Sequence, residues 1–297
     1  MKRRMEVYMS LRFGIKTAQQ HLSYPEILAL WQQADAAPAI EHAWIFDHFM
    51  PLGAHPEGPC LEGWTLLAAL AAQTRRLRLG LLVTGNTYRH PAVLANMAAT
   101  VDIISGGRLD VGLGAGWYER EHHAYGIPLY PPGERIRRLQ EACVMIRRLW
   151  KEPVVDFEGK YYQLHQARCE PKPLQQPAPP LLLGGRGEKL MLRVVAEQAD
   201  IWNSPGDSVE LYRHRSQVLD EHCIAIGRDP RTVERSVQLV LNQENPAETR
   251  DELREYIAIG ATHLVLELRP PLQRDCIQLL VREVIAPLQA EFANESM

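Results

Sequence analysis

The chain has 297 residues, 46% hydrophobic and 23% charged, the proportions of an ordinary soluble globular protein. A net charge of −3 gives no reason to expect nucleic acid or an anionic membrane surface as partner, and no apolar run is long enough to span a bilayer. Five scattered cysteines form neither a disulfide framework nor a CxxC metal site, which points to a reducing cytoplasm.

The N-terminus, MKRRMEVYMSLRFG, starts basic but has no apolar core behind it, so it is not a secretory signal. Residues 1–10 read as a leader, with Met9 an alternative start. From residue 11 onward, strand-like and helix-like segments alternate. The strand-like runs are Leu11–Lys16, His42–Asp47, Leu77–Val83, Leu109–Leu113, Pro180–Gly184, Ala199–Asn203, Glu234–Leu241 and Thr262–Leu268. The helices that follow them are Tyr24–Ala37, Gly63–Thr74, Pro91–Ser105, Gly133–Trp150, Glu188–Gln198, Asp207–Gly227, Pro246–Gly260 and Gln273–Ala290. Eight strict alternations fit a closed (β/α)8 TIM barrel over 11–297 better than an open doubly wound sheet. The proline-rich stretch 152–180, with a hairpin across Glu158-Gly159, reads as an excursion from the barrel and not a domain boundary.

The segment Gly80–Gly126 is the most informative. Val93, Leu94, Met97, Val101 and Ile104 fall on one helical face between two short apolar runs, which predicts a helix joining two parallel strands. In such barrels the chemistry sits where strands hand over to helices. After the second strand stand Asp47, His48 and Phe49; alternation sends Asp47 and His48 to opposite sides, so adjacency does not make them a dyad. After the fourth come Trp117, Glu119, Glu121, His122 and His123. Glu119 with either histidine has one-turn spacing, but no second ligand pair appears elsewhere, so a hydrated loop shaping the pocket is expected and no metal. After the fifth, LLLGGRGEK places Gly184, Gly185, Arg186 and Gly187 where a helix is expected to open. That pattern suits a phosphate, although a tight glycine turn explains it as readily.

Taken in order, RFGIKT, WIFDHF, EGWTLLAALAAQTRRLRLG, YRHPAVLANMAATVDIISGGRLDVGLGAGW, AYGIP and PPLLLGG followed by ADIWN resemble the bacterial luciferase-like superfamily, in the branch that uses coenzyme F420. The resemblance runs from about Leu11 to Asn203. It implies a barrel with excursions, a homodimer formed by outer helices, and a deazaflavin in the C-terminal mouth. By position it makes His48 the residue of proton handling or polarisation, and Asp47 a contact to the ring or its side chain. A non-proline cis peptide is implied between Leu82 and Val83, against the ring's back. Thr84, Gly116, Trp117 and Arg120 fall at cofactor-wall positions, and Gly184 to Gly187 at the phosphate site.

Departures from the family pattern bear on the substrate. Sugar-phosphate and alcohol dehydrogenases of the group carry a glutamate where this chain has Gln20, another where Trp117 stands, and a tryptophan at Leu52. A pocket of Phe49, Leu52, Tyr88, Trp117 and Trp202 is then rather apolar. The implied activity is hydride transfer between F420 and a small organic molecule. The alternatives are an FMN-dependent monooxygenase of the same superfamily and a non-catalytic flavin-binding barrel.

Overall fold

In a computed structural model, residues 11–53, 56–206 and 208–294 are described. The leader read at 1–10 lies outside them. Eight parallel strands close on themselves: β1 (Arg12–Thr17), β2 (His42–Ile45), β3 (Arg78–Leu81), β5 (Leu109–Gly114), β8 (Leu181–Gly184), β9 (Ile201–Pro205), β10 (Glu234–Val240) and β11 (His263–Leu268). Pairing of β3 with β5 and of β1 with β11 completes the ring, and the two-residue β4 (Thr84–Gly85) adds to the top of β5. This is the expected (β/α)8 barrel. No helix among the described residues is long and apolar enough to cross a membrane.

The helices α1 (Tyr24–Ala36), α2 (Gly63–Gln73), α3 (Pro91–Ser105), α5 (Pro132–Lys151), α6 (Met191–Gln198), α7 (Val209–Ala225) and α8 (Pro246–Ala258) fall close to the predicted segments. Two of them start at capping side chains close to the mouth. Glu62 accepts from the Trp64 and Thr65 N–H groups, and His90 from that of Ala92, satisfying donors that a helix start leaves free. The excursion carries the expected hairpin, β6 (Val155–Glu158) against β7 (Gln163–Ala167).

Four readings need correction. On α3, Leu94 and Val101 are buried but Val93 and Ile104 are 55% and 43% exposed; the buried face is centred on Ala95, Ala98 and Ala99, whose small side chains let the helix sit close to its neighbours. The fifth helix begins at Met191 and not Glu188, because a turn over 188–190 follows the loop. The last helix is broken into α9 (Cys276–Leu280), a π-turn over Val281–Ile285, and α10 (Ala286–Asn294). The loop expected after β5 contains a six-residue helix, α4 (Glu119–Ala124).

Side chains alternate between the helical layer and the lumen. Phe13, Ile15, Leu264, Leu266 and Leu268 pack outward, while Trp44, Leu82, Leu182, Ile201 and Val265 form an apolar plug inside. Below the plug, His42 and His263 stack at 3.9 Å, and burial drives both pKa values well down, so both rings are neutral. A Cβ on Gly14 would fall 1.8 Å from the His42 ring, so glycine is needed there to seat the pair.

Candidate active site

The site is assembled on the chain just beyond β2. His48 retains 12% side-chain exposure, and its Nδ1 donates to Glu121 Oε2 at 2.8 Å. Glu121 comes from α4 and is completely enclosed. Its other oxygen accepts from the Phe49 N–H at 2.5 Å and the Met50 N–H at 3.1 Å, and the Tyr88 hydroxyl also donates to Oε2. Burial pushes this carboxyl upward, but the bonds from His48, Tyr88 and the Phe49 N–H outweigh it and hold its pKa below the usual range. An ionised, four-fold hydrogen-bonded carboxylate thus fixes the proton on His48 Nδ1 and leaves Nε2 for chemistry.

Aromatic rings enclose His48. Phe46, Trp117, Tyr118 and Tyr88 stand edge-on at centroid distances of 5.3, 5.7, 5.8 and 6.4 Å. Phe49 packs on Tyr88 at 4.8 Å and on Tyr125 at 5.0 Å, and Trp117 is 62% exposed. His122 does not join the acidic group: its Nδ1 donates to the Tyr118 carbonyl at 2.7 Å and its Nε2 lies 2.7 Å from the Thr87 hydroxyl, pinning α4 to the β4 loop.

Asp47 points elsewhere, as alternation requires. It is 1% exposed, with the Arg89 guanidinium on both carboxylate oxygens (2.9 Å to Oδ1) and the Gly85 N–H on Oδ2 at 3.1 Å. Burial raises its pKa to about 6 against the pull of Arg89. Arg89 also reaches Glu62 at 3.3 Å, so Asp47 ties the third handover and the start of α2 to β2. Thr84 is likewise turned inward, accepting from the Trp64 indole N–H at 3.2 Å. Gln20 holds the loop, since its amide accepts from Leu52 N–H at 2.8 Å and donates to the Leu52 carbonyl at 3.3 Å. Trp202 is fully buried in the helical layer, stacked on Tyr212; its N–H donates to the Gly185 carbonyl at 2.9 Å. It supports the glycine loop from the helical layer.

Beyond β3 the chain forms a shelf bordered by glycines. The Leu82–Val83 peptide is cis. Val83 is flanked by Gly114 and Gly184, where a Cβ would come within 2.6 and 3.1 Å of its methyl groups, and a Cβ on Gly112 would strike the Leu81 carbonyl at 2.0 Å. Gly116 has a positive φ of 83° and Gly185 one of 154°, conformations that favour glycine. Gly184 and Gly185 are partly buried and Arg186 and Gly187 exposed, but the turn that follows keeps the start of α6 three residues away from them. Arg120 is exposed on α4.

Sequence reasoning missed Glu121 and Arg89 as functional residues. The run Glu-Arg-Glu-His-His carries the signature of a solvated surface. Only the approach of residues 73 positions apart makes Glu121 a buried partner of His48.

The sequence profile of the luciferase-like monooxygenase family matches residues 5–283. The F420-dependent glucose-6-phosphate dehydrogenase of Kineococcus radiotolerans is 31% identical over 255 residues, 85% of this chain and 74% of that one. The oxygenase component of a flavin-dependent trigonelline monooxygenase from Acinetobacter baylyi is 35% identical, over 55% of this chain and 43% of its own. Among solved structures, an F420-dependent secondary alcohol dehydrogenase in complex with an F420-acetone adduct superposes with a TM-score of 0.83 at 18% identity, covering 93% of this chain and 98% of that one. With a profile match across nearly the whole barrel, the chain belongs to the luciferase-like monooxygenase family.

Proposed function

We propose that the protein is an F420-dependent oxidoreductase that moves a hydride between the bound deazaflavin and a small, rather apolar organic substrate. The observation that carries this reading is the His48–Glu121 pair, set among Tyr88, Phe49 and Trp117 at the barrel mouth. The curated F420-dependent relatives favour it, since they align over most of both chains, whereas the trigonelline monooxygenase aligns over less than half of its own length. FMN chemistry with oxygen is the second reading, favoured by the higher identity of that shorter match and by the FMNH2-dependent dimethylsulfone monooxygenase of Pseudomonas putida, 29% identical over 66% of this chain.

A flat tricyclic ring would rest on the Leu82–Val83 cis peptide, which Gly112, Gly114 and Gly184 seat by making room for the Leu81 carbonyl and the Val83 methyl groups. Gly116, Trp117 and Arg120 would border the ring and its polyol chain, and Gly184 to Gly187 with Arg186 would receive the phosphate. The bound deazaflavin supplies hydride chemistry and does not readily activate oxygen. The chain's own part is positioning and proton handling. His48 Nε2 would donate to, or accept from, the substrate oxygen as its carbon changes oxidation state, and Glu121 would hold the imidazole's orientation and tautomer through Nδ1. Phe49, Leu52, Tyr88 and Trp117 would exclude water and hold an apolar body. With Gln20 and Trp117 in place of the group's carboxylates, the acid–base work falls to His48.

The exposed Val93 and Ile104 on α3 support a homodimer through outer helices, and five free cysteines suit the cytoplasm. The test is anaerobic incubation of the protein with reduced or oxidised F420 and a panel of ketones, enones and alcohols, following the deazaflavin spectrum. Turnover without oxygen supports the reading. Turnover only with reduced FMN and oxygen selects the monooxygenase, and cofactor binding with no turnover of any acceptor selects the non-catalytic barrel.

A further inference from the structure

Lys16 is a cation inside the barrel with more donors than partners. It is the fifth residue of β1, and alternation with the outward-packed Phe13 and Ile15 turns it to the lumen. It lies in register with Trp44 of β2 and Glu267 of β11, near the strands' C-terminal ends and above the apolar plug. Helices cover the outside of the barrel, so its 12% side-chain exposure opens toward the same mouth as His48.

The ammonium carries three N–H donors, yet among the described residues its one ion pair is to Glu267 Oε2, at a long 3.7 Å. Glu267 is committed elsewhere: Oε2 accepts from the Gln238 amide at 2.6 Å and Oε1 from Arg269 Nε at 2.8 Å. Two cations, Lys16 and Arg269, therefore share this one carboxylate. Burial, and secondarily Arg269, work against the charged form of Lys16, whose pKa is lowered despite Glu267. An enclosed cation with unused donors is costly unless an acceptor arrives.

We propose that Lys16 is a specificity-determining residue that binds an anionic end of the substrate, a carboxylate or comparable oxyanion, while the body lies against Phe49, Tyr88 and Trp117. The substrate class is then an organic acid with a flat apolar body. This rests on the reading of the mouth as the substrate pocket. Glu267 and Gln238 are positioning groups that hold the ammonium short of full pairing.

The experiment is calorimetric titration of the protein, without and with F420, using benzoate, cyclohexanecarboxylate and the neutral benzamide. Wild type should hold the carboxylates at least tenfold more tightly than benzamide. Lys16→Gln should remove that preference and leave benzamide unchanged, and Lys16→Arg should retain part of it. Glu267→Gln, which frees the ammonium, should strengthen benzoate binding severalfold, and this arm carries the test if K16Q fails to fold. No carboxylate preference in wild type, equal loss for benzoate and benzamide in K16Q, or unchanged benzoate affinity in E267Q would each overturn the proposal. A Lys16-dependent carboxylate site in a protein that does not bind F420 would uphold this inference while removing the cofactor assignment.

Discussion

Replacing Glu121 with glutamine removes one negative charge and alters four hydrogen bonds. If the amide oxygen takes the place of Oε1, the Phe49 and Met50 N–H groups keep their acceptor. The amide NH2 then faces His48 Nδ1 and the Tyr88 hydroxyl, two groups that donate in the wild type. The tyrosine can rotate, but the imidazole can accommodate the amide only by moving its proton to Nε2. Charge-assisted bonds are worth about 1.5–3 kcal/mol each, and partial replacement by neutral ones should cost about 1–3 kcal/mol in all. For a chain of this size that lowers Tm by roughly 2–5 °C.

The pH dependence has a definite sign. The folded pKa of Glu121 is depressed, so its stabilisation is fully present above the ordinary carboxyl value of about 4.3 and is lost as pH falls through the lower folded value. The Tm gap between wild type and E121Q should therefore be full at pH 7 and shrink below about pH 4. Differential scanning calorimetry across that range, with single-turnover hydride transfer at pH 7, measures both effects. A displaced His48 proton should slow transfer by about 10²–10⁴-fold. Unchanged Tm and unchanged transfer in E121Q would refute the role given to this carboxylate.

His48→Ala should fold and bind cofactor nearly as wild type but slow hydride transfer about 10²–10⁴-fold, seen by stopped-flow absorbance; an unaltered rate would remove His48 from the chemistry. Arg186→Ala should weaken binding of the whole cofactor roughly ten- to a hundredfold, yet barely affect a deazaflavin lacking the phosphate. Equal weakening of both forms would place Arg186 in the scaffold. Gly114→Ala brings a methyl group to 2.6 Å from Val83 Cγ2, which should cost about 1–3 kcal/mol of stability and displace the shelf. Wild-type melting and cofactor affinity in that variant would show that the shelf yields freely.

The barrel was legible because its signals are local. Short apolar strands bounded by turn residues, and helices begun at Pro91 or ended at Gly106, need no distant contact to be read. Helix ends that depend on tertiary context were harder. The loop Gly184–Gly187 runs into a turn before α6 can start, and the π-turn at Val281–Ile285 breaks an otherwise continuous pattern. At the proposed site, the place of His48 beyond a barrel strand and the spacing of the glycines could be read from the sequence. The charged partners could not. Glu121 and Arg89 look solvated in sequence, and only closure of the barrel buries them against His48 and Asp47. Trp202 erred in the other direction: an aromatic near a strand's end suggests a pocket, but its alternation phase sends it to the helical layer.

Side-by-side titration of the purified protein with F420 and FMN decides the identity of the cofactor. F420 should bind at least tenfold more tightly, a difference of about 1.4 kcal/mol. Protein that purifies with tightly held FMN, or binds FMN as well as F420, would contradict it.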